Sequence, residues 1–401
     1  MIQKHLGLNL SAEPIDAEIP ITKSRKTIFA LLGAGLHGTN GLNPIISRQI
    51  WERYNVPRST HGLEVQIFPK CEMEKLQRHE DQYMRTFQTL PSFSPNILSH
   101  ILIGGRPVTS IIHRRMLSLL MNTHRKDGLE TKIGKRQLSM KNSKSQSWFM
   151  RVNKVADQYG LPNSFTILNE PPWDKESWKR VVKGAMADFY EDSWREKLST
   201  LTTLNMINPN TIKFGKPHPC WQTSGYSSQS VKKAISKVRF LTDTLMTGEK
   251  LNKMYGLSAQ CNCGYYLEHR FHILLDCITY QDLRELCISS IVSVIQKSHP
   301  NIPRNVFCNR TTIIKLILDP TWYRKDIGFC TKDFPNILTE KESNEIEVIG
   351  RAYCYKIYKR RFDILSDTIG GSDSETETDA SYSIHDTDES SESEWESDTD
   401  N

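Results

Sequence analysis

Apolar residues return at helical spacing along most of the chain. Val108, Ile111, Ile112, Met116, Leu119 and Leu120 fall three or four positions apart, the period of one helix face, and predict an amphipathic helix over 107–122. The same spacing predicts helices over 22–32, from Asn43-Pro44 through Ile46, Ile50 and Trp51, and over 74–88 with Leu76, Tyr83, Met84 and Phe87 on one side. Ser94-Pro95 opens another, which Gly104-Gly105 ends. Asp174 is placed to cap a helix reaching about Leu198, whose inward face is Trp178, Val181, Val182, Ala185, Phe189 and Leu198. Further helices are expected over 227–244, 280–298, 311–318 and 341–365. Period-two alternation is scarce, and Gly62-Leu-Glu-Val-Gln-Ile-Phe68 reads as a short extended stretch. The polar, basic segment 125–147 reads as a linker flanking a short helix, and Gly215-Lys-Pro-His-Pro-Cys-Trp221 as a rigid loop. No repeat of fixed period is present, and the expected class is mainly α.

Composition excludes several classes. With 38% hydrophobic and 24% charged residues the 401-residue chain has enough apolar material for a core, and its length fits two or three domains. It has no run of about 18 apolar residues of the kind a membrane span needs. The start Met1-Ile-Gln-Lys-His lacks the apolar run of a secretory signal. The expectation is an intracellular, reducing setting, nuclear or cytoplasmic, with no membrane partner; Lys359-Arg-Arg361 is a weak import signal.

The net charge of +6 hides a division. Residues 366–401 hold 13 acids and no Lys or Arg, which leaves 33 acids against 52 bases in the body. Too few apolar residues remain after Ser366 to offset ordering entropy, so the composition predicts a disordered acidic tail. Ser372, Ser374, Ser391 and Ser393 each precede an acid by three positions, a pattern for acidophilic phosphorylation. A basic body points either to a polyanionic partner or to ordinary solvated cations.

Two motifs carry possible chemistry. Gly33-Ala-Gly35-Leu-His-Gly38 matches a dinucleotide-binding pattern, with Glu52 at the distance of a ribose-binding acid. That site needs a strand before the glycines and a helix starting within them. Here a basic helical segment precedes them and Pro44 starts the next helix, so a hinge between helices is the expectation. Cys261-Asn-Cys263-Gly264, followed by His272 and Cys277, is more specific. A glycine turn aims two thiolates at one centre, and a helix from about Glu268 returns an imidazole and a third thiolate. Three sulfurs and one nitrogen suit a closed, structural Zn2+ site rather than calcium or magnesium. His269 competes with His272 for the fourth position; His272 closes the shorter loop to Cys277. The bland alternative is three buried thiols and a surface histidine.

The stretch Arg239-Phe-Leu-Thr-Asp-Thr-Leu-Met-Thr-Gly-Glu-Lys-Leu-Asn, then Leu257-Ser-Ala-Gln-Cys-Asn-Cys-Gly, then Leu267-Glu-His-Arg-Phe-His-Ile-Leu-Leu-Asp-Cys277 resembles the C-terminal zinc knuckle of non-LTR retrotransposon reverse transcriptases. By that resemblance Cys261, Cys263 and Cys277 are ligands and His272 keeps the family's gap to the last Cys, while the Glu-His pair, Glu268-His269, stands three residues early. His5-Leu-Gly-Leu looks like the primer-grip turn, 25–44, 54–58 and 62–65 like the start of the thumb, and Leu316-Ile-Leu-Asp-Pro and Arg351-Ala-Tyr-Cys like the terminal helices. The implied organisation is a primer-grip remnant and thumb-like helical region over 1–135, a helical connector over 136–256, a zinc knuckle with its following helix over 257–300, C-terminal helices over 301–365 and the tail over 366–401.

In that family the polymerase carboxylates precede the primer grip, and no aromatic-x-Asp-Asp turn occurs in this chain. The resemblance therefore implies a non-catalytic fragment that binds RNA, an RNA–DNA hybrid or single-stranded DNA. The candidate phosphate contacts are Lys23, Arg25, Lys26, Arg114, Arg115, Arg125, Lys126, Lys232, Lys233, Lys237 and Arg239, with Tyr265, Tyr266 and Phe271 able to stack on bases or to pack beneath the zinc. Two alternatives stand beside this one: a protein-interaction scaffold whose acidic tail recruits basic proteins, and a fragment that complements a separate reverse-transcriptase palm.

Overall fold

Polar caps start many of the helices where the sequence places them. In the computed structural model, which describes residues 3–5, 8–10, 15–33, 36, 42–66, 68–140, 147–303, 307–328 and 334–369, the Asn43 side chain accepts from Ile45 N, that of Asp174 from Glu176 N and Ser177 N, and that of Ser227 from Ser230 N. Each satisfies amide donors that the first turn leaves unpaired.

The fold is mainly helical. A small antiparallel hairpin pairs β1 (Gln3–His5) with β2 (Leu8–Leu10); Leu6 and Gly7 of the expected primer-grip turn lie outside the described residues. Then come α1 (Glu18–Leu32), α2 (Pro44–Ile50), a π-helical turn at Trp51–Asn55, α3 (Val56–Ser59), α4 (Lys70–Phe87), α5 (Leu98–Ile101) and α6 (Val108–Lys126). They are followed by α7 (Leu129–Ser139), α8 (Trp148–Gln158), α9 (Ser164–Asn169), α10 (Lys175–Thr200), α11 (Pro219–Gln222), α12 (Ser228–Leu241) and α13 (Gly248–Tyr255). Beyond a second π-helical turn at His272–Asp276 lie α14 (Gln281–Ser298), α15 (Arg310–Leu318) and α16 (Glu340–Ile369). No helix among the described residues is long and apolar enough to cross a membrane.

Two apolar clusters organise these helices. One gathers Ile21, Leu76, Ile112, Leu120, Val152 and Trp178, chiefly from α6, α8, α9 and the first half of α10. The other runs from Ile28 and Phe87 through Trp221 and Phe240 to Cys277, Ile295, Ile317 and Ile357. Helices α1, α4 and α10 contribute to both, because each is long enough to leave one core and enter the next.

Three local expectations change. Residues 62–66 of the stretch 62–68 are not extended: Gly62 sits at φ 78, and Leu63 N→Thr60 O (3.3 Å) and Val65 N→Gly62 O (3.2 Å) close successive turns; Leu63 and Phe68 are buried, and Ile67 lies outside the described residues. The linker at 125–147 holds α7, a three-turn helix that buries Thr131 and Leu138. Helix α16 continues to Ile369, past the expected end at 365, and the tail from 370 onward lies outside the described residues.

The glycine-rich motif follows a helix, since Gly33 is the C-cap of α1; Gly35 and Gly38 lie outside the described residues. The basic run Lys359-Arg-Arg361 lies inside α16, where Arg360 pairs with Asp282 and Arg361 with Glu268. It is therefore not the free, extended basic peptide that the sequence suggested as an import signal.

Candidate metal centre and nucleic-acid surface

A tight hairpin brings Cys261 and Cys263 together. Gly264 takes φ 90, a left-handed conformation that other residues rarely adopt, and the chain reverses through Gly264 N→Cys261 O (2.9 Å), Cys261 N→Tyr265 O (2.9 Å) and Glu268 N→Ala259 O (2.7 Å). The helix expected from Glu268 starts at Arg270 and widens at once into the π-helical turn, closed by Cys277 N→His272 O at 2.8 Å.

These turns bring four donors together. Cys261 Sγ lies 3.7 Å from Cys277 Sγ, Cys263 Sγ lies 3.3 Å from His272 Nε2, and all four ligand atoms fall within 4.8 Å of one another. The group can hold a metal ion. His269 is turned elsewhere: its Nδ1 accepts from the His272 backbone N–H at 3.1 Å. Burial pushes the Cys261 thiol up to about 12 and lowers the pKa of His272, so the imidazole is held neutral and ready to ligate. A cation at the centre would reverse the penalty on the thiolate. The eight cysteines among the described residues are all unpaired thiols, so no disulfide competes for the set.

The module is fastened at several points. The Glu268 carboxylate, buried, accepts from Gly248 N (2.6 Å) and from both Arg361 Nε (3.0 Å) and Nη2 (2.7 Å). Tyr353 Oη donates to Leu274 O at 2.6 Å. Arg310 grips Asp276 through two 2.6 Å bonds.

Its aromatic residues divide. Phe271 packs under the Arg270 guanidinium, 4.7 Å from its centroid, and is part of the interior. Tyr265 and Tyr266 face outward, 41% and 72% exposed, with ring centroids 4.7 Å apart. Tyr265 also stacks on the His272 ring at 4.4 Å and 12°.

The candidate phosphate contacts fall into three groups. Lys23, Arg25 and Lys26 stand on the outer face of α1; Arg114 and Lys126 on α6 are also exposed. Arg115 donates to Thr60 Oγ1 (2.7 Å), Arg125 donates to Trp173 O (3.0 Å), and Lys232 and Lys233 are half-buried on α12. Lys237 and Arg239 are corrections. Lys237 is fully buried and pairs with Glu347 at 2.6 Å; Arg239 is buried against the Tyr358 ring and Thr89 O. Neither can reach a phosphate. Their partners lie 110 and more residues away along the chain, out of reach of any local pattern.

Sequence reasoning missed a second group. Glu80, Asp81 and His100 lie close enough to share a cation. All are buried, and their acids are already engaged: Asp81 pairs with His100 Nε2 (2.7 Å), Gln77 Nε2 donates to Glu80 (2.9 Å) and Asp81 (3.0 Å), and Val108 N donates to Glu80 (2.6 Å). Desolvation raises the Glu80 carboxyl to about 7. Adjacent acids amid the apolar face of α4 were the available signal.

No family model, curated protein or solved structure matches the chain.

Proposed function

We propose that this chain is a non-catalytic nucleic-acid-binding protein, akin to the C-terminal part of non-LTR retrotransposon reverse transcriptases, with zinc as a structural ion at Cys261, Cys263, His272 and Cys277. The observation that carries the reading is the convergence of three sulfurs and one imidazole beneath an exposed tyrosine pair. A set of four protein ligands leaves zinc no open position for substrate, so its contribution is to folding. Paired exposed rings offer π-faces to unpaired bases in a sequence-tolerant way. Lys23, Arg25, Lys26, Arg114 and Lys126 supply cations for the backbone of RNA, an RNA–DNA hybrid or single-stranded DNA.

Binding of a single-stranded RNA to the zinc-loaded chain tests this. The expected result is an affinity that falls steeply with salt, and a Tyr266→Ala variant that loses about 1–3 kcal/mol of binding while keeping its zinc. An affinity indifferent to salt, or no RNA binding at all, would overturn the reading and favour a protein-interaction scaffold.

A further inference from the structure

Helix α7 turns an apolar stripe outward. Leu129, Ile133 and Met140 are 70%, 44% and 67% exposed, and the cations Lys132 and Arg136, also exposed, lie between them. At about 100° per residue these five positions, running from α7 to the residue after it, fall within an arc of roughly 100°. The opposite face, Thr131, Gly134 and Leu138, is buried, and a Cβ at Gly134 would meet the Phe149 ring at 2.5 Å, so the helix is seated firmly and its outer stripe has a fixed orientation. Leu, Ile and Met in one register with two cations call for an occupant that is apolar and anionic together.

The chain contains such a segment. Beyond Ile369, where α16 ends, 32 residues carry 12 acids and no Lys or Arg, and the largest apolar side chain among them is Trp395, between Glu394 and Glu396. Trp395 lies 26 residues past the helix end, a contour of up to about 90 Å at roughly 3.4 Å per residue. A folded body of this size has a radius of gyration near 21 Å, so α7 is within reach. Tethering supplies a local concentration of about a millimolar, so one buried indole and two screened ion pairs are enough to hold the contact.

We propose that the acidic C-terminal segment folds back on its own chain and seats Trp395 on the α7 stripe, with the neighbouring carboxylates against Lys132 and Arg136. The stripe begins three residues after Lys126, so an occupied α7 places negative charge beside the exposed cation at the end of α6.

Photocrosslinking of the full chain tests this independently of any nucleic acid. With p-benzoylphenylalanine incorporated in place of Trp395, irradiation at low salt is expected to give crosslinks within one chain that map to residues 129–140. Yield should fall about tenfold or more when Lys132→Glu and Arg136→Glu are combined, since both attractions become repulsions. Leu129→Ser with Met140→Ser, at exposed positions that leave the core intact, should lower it as well. Crosslinks that map elsewhere, that join two chains, that survive the charge reversal, or that do not form would each overturn the proposal.

Discussion

Four side chains from one short segment form the candidate metal site, and each is replaceable one at a time. Cys263→Ser removes the least buried thiol of the set. The expected outcome is purified protein with little or no bound zinc, checked by metal analysis, while the cluster around Val152 and Trp178 keeps its helices. Unchanged zinc would remove Cys263 from the ligand set. A second residue-scale expectation concerns Glu80, whose carboxyl burial raises from 4.5 to about 7. The folded state then holds this proton more tightly than the unfolded state, so stability is lost as pH rises from about 4.5 through about 7. Glu80→Gln stays neutral and can still accept the Val108 N–H, so it should gain on the native protein across that window, by about 3 kcal/mol above it. Urea midpoints at pH 5 and pH 8 check this; parallel curves would refute it. The thiols and His272 were legible from spacing because their chemistry is local, whereas Glu80 gains its character from burial, which only the packing of distant elements supplies.

At the scale of elements, the capped helices were legible and the burial of cations was not. Asn43, Asp174 and Ser227 announce their helices because a cap acts over three residues. Helix α7 showed only as a short helix beside a linker because two of its three apolar residues, Leu129 and Ile133, face outward, which blurs the usual one-sided pattern. The turns at 62–65 were misread because alternation alone does not show that Gly62 is left-handed. Lys237 was misread because its partner belongs to α16. That pair makes an ordered prediction. Glu347 faces both Lys237 (2.6 Å) and Arg351 (3.7 Å). Glu347→Ala strands the buried Lys237 ammonium and takes the carboxylate from beside Arg351, which keeps its bonds to Thr223 and Cys220; it should cost about 3–5 kcal/mol, whereas Lys237→Met leaves Arg351 beside the carboxylate and should cost less. Denaturant unfolding of the two variants decides it; the reverse order would count against the pair as the pin between α12 and α16.

Across the whole molecule, charge is the property that the sequence displayed most openly and distributed least evenly. Removing residues 370–401 takes away 12 acids and leaves every described element in place. The truncated chain should bind RNA more tightly at low salt and by a narrowing margin as salt rises, because a competing anion has been removed. Equal affinity of the two forms at low salt would argue against competition. The general class, mainly α with a basic body, could be read from the sequence; the division into two cores could not, since α1, α4 and α10 each cross between them and show no composition change where they do.

Glu268 would give an ion at the candidate site a reach beyond its ligands. The same carboxylate closes the start of α13 and clamps Arg361 of the last helix, while Tyr353 of that helix donates to Leu274 O beside the ligand set. Stripping the ion would slacken this clasp and free the final turns of α16, so the root from which the acidic extension springs would swing with metal supply. Faster amide exchange over 358–369 on chelation would be the sign that the last helix is governed from the four-ligand centre.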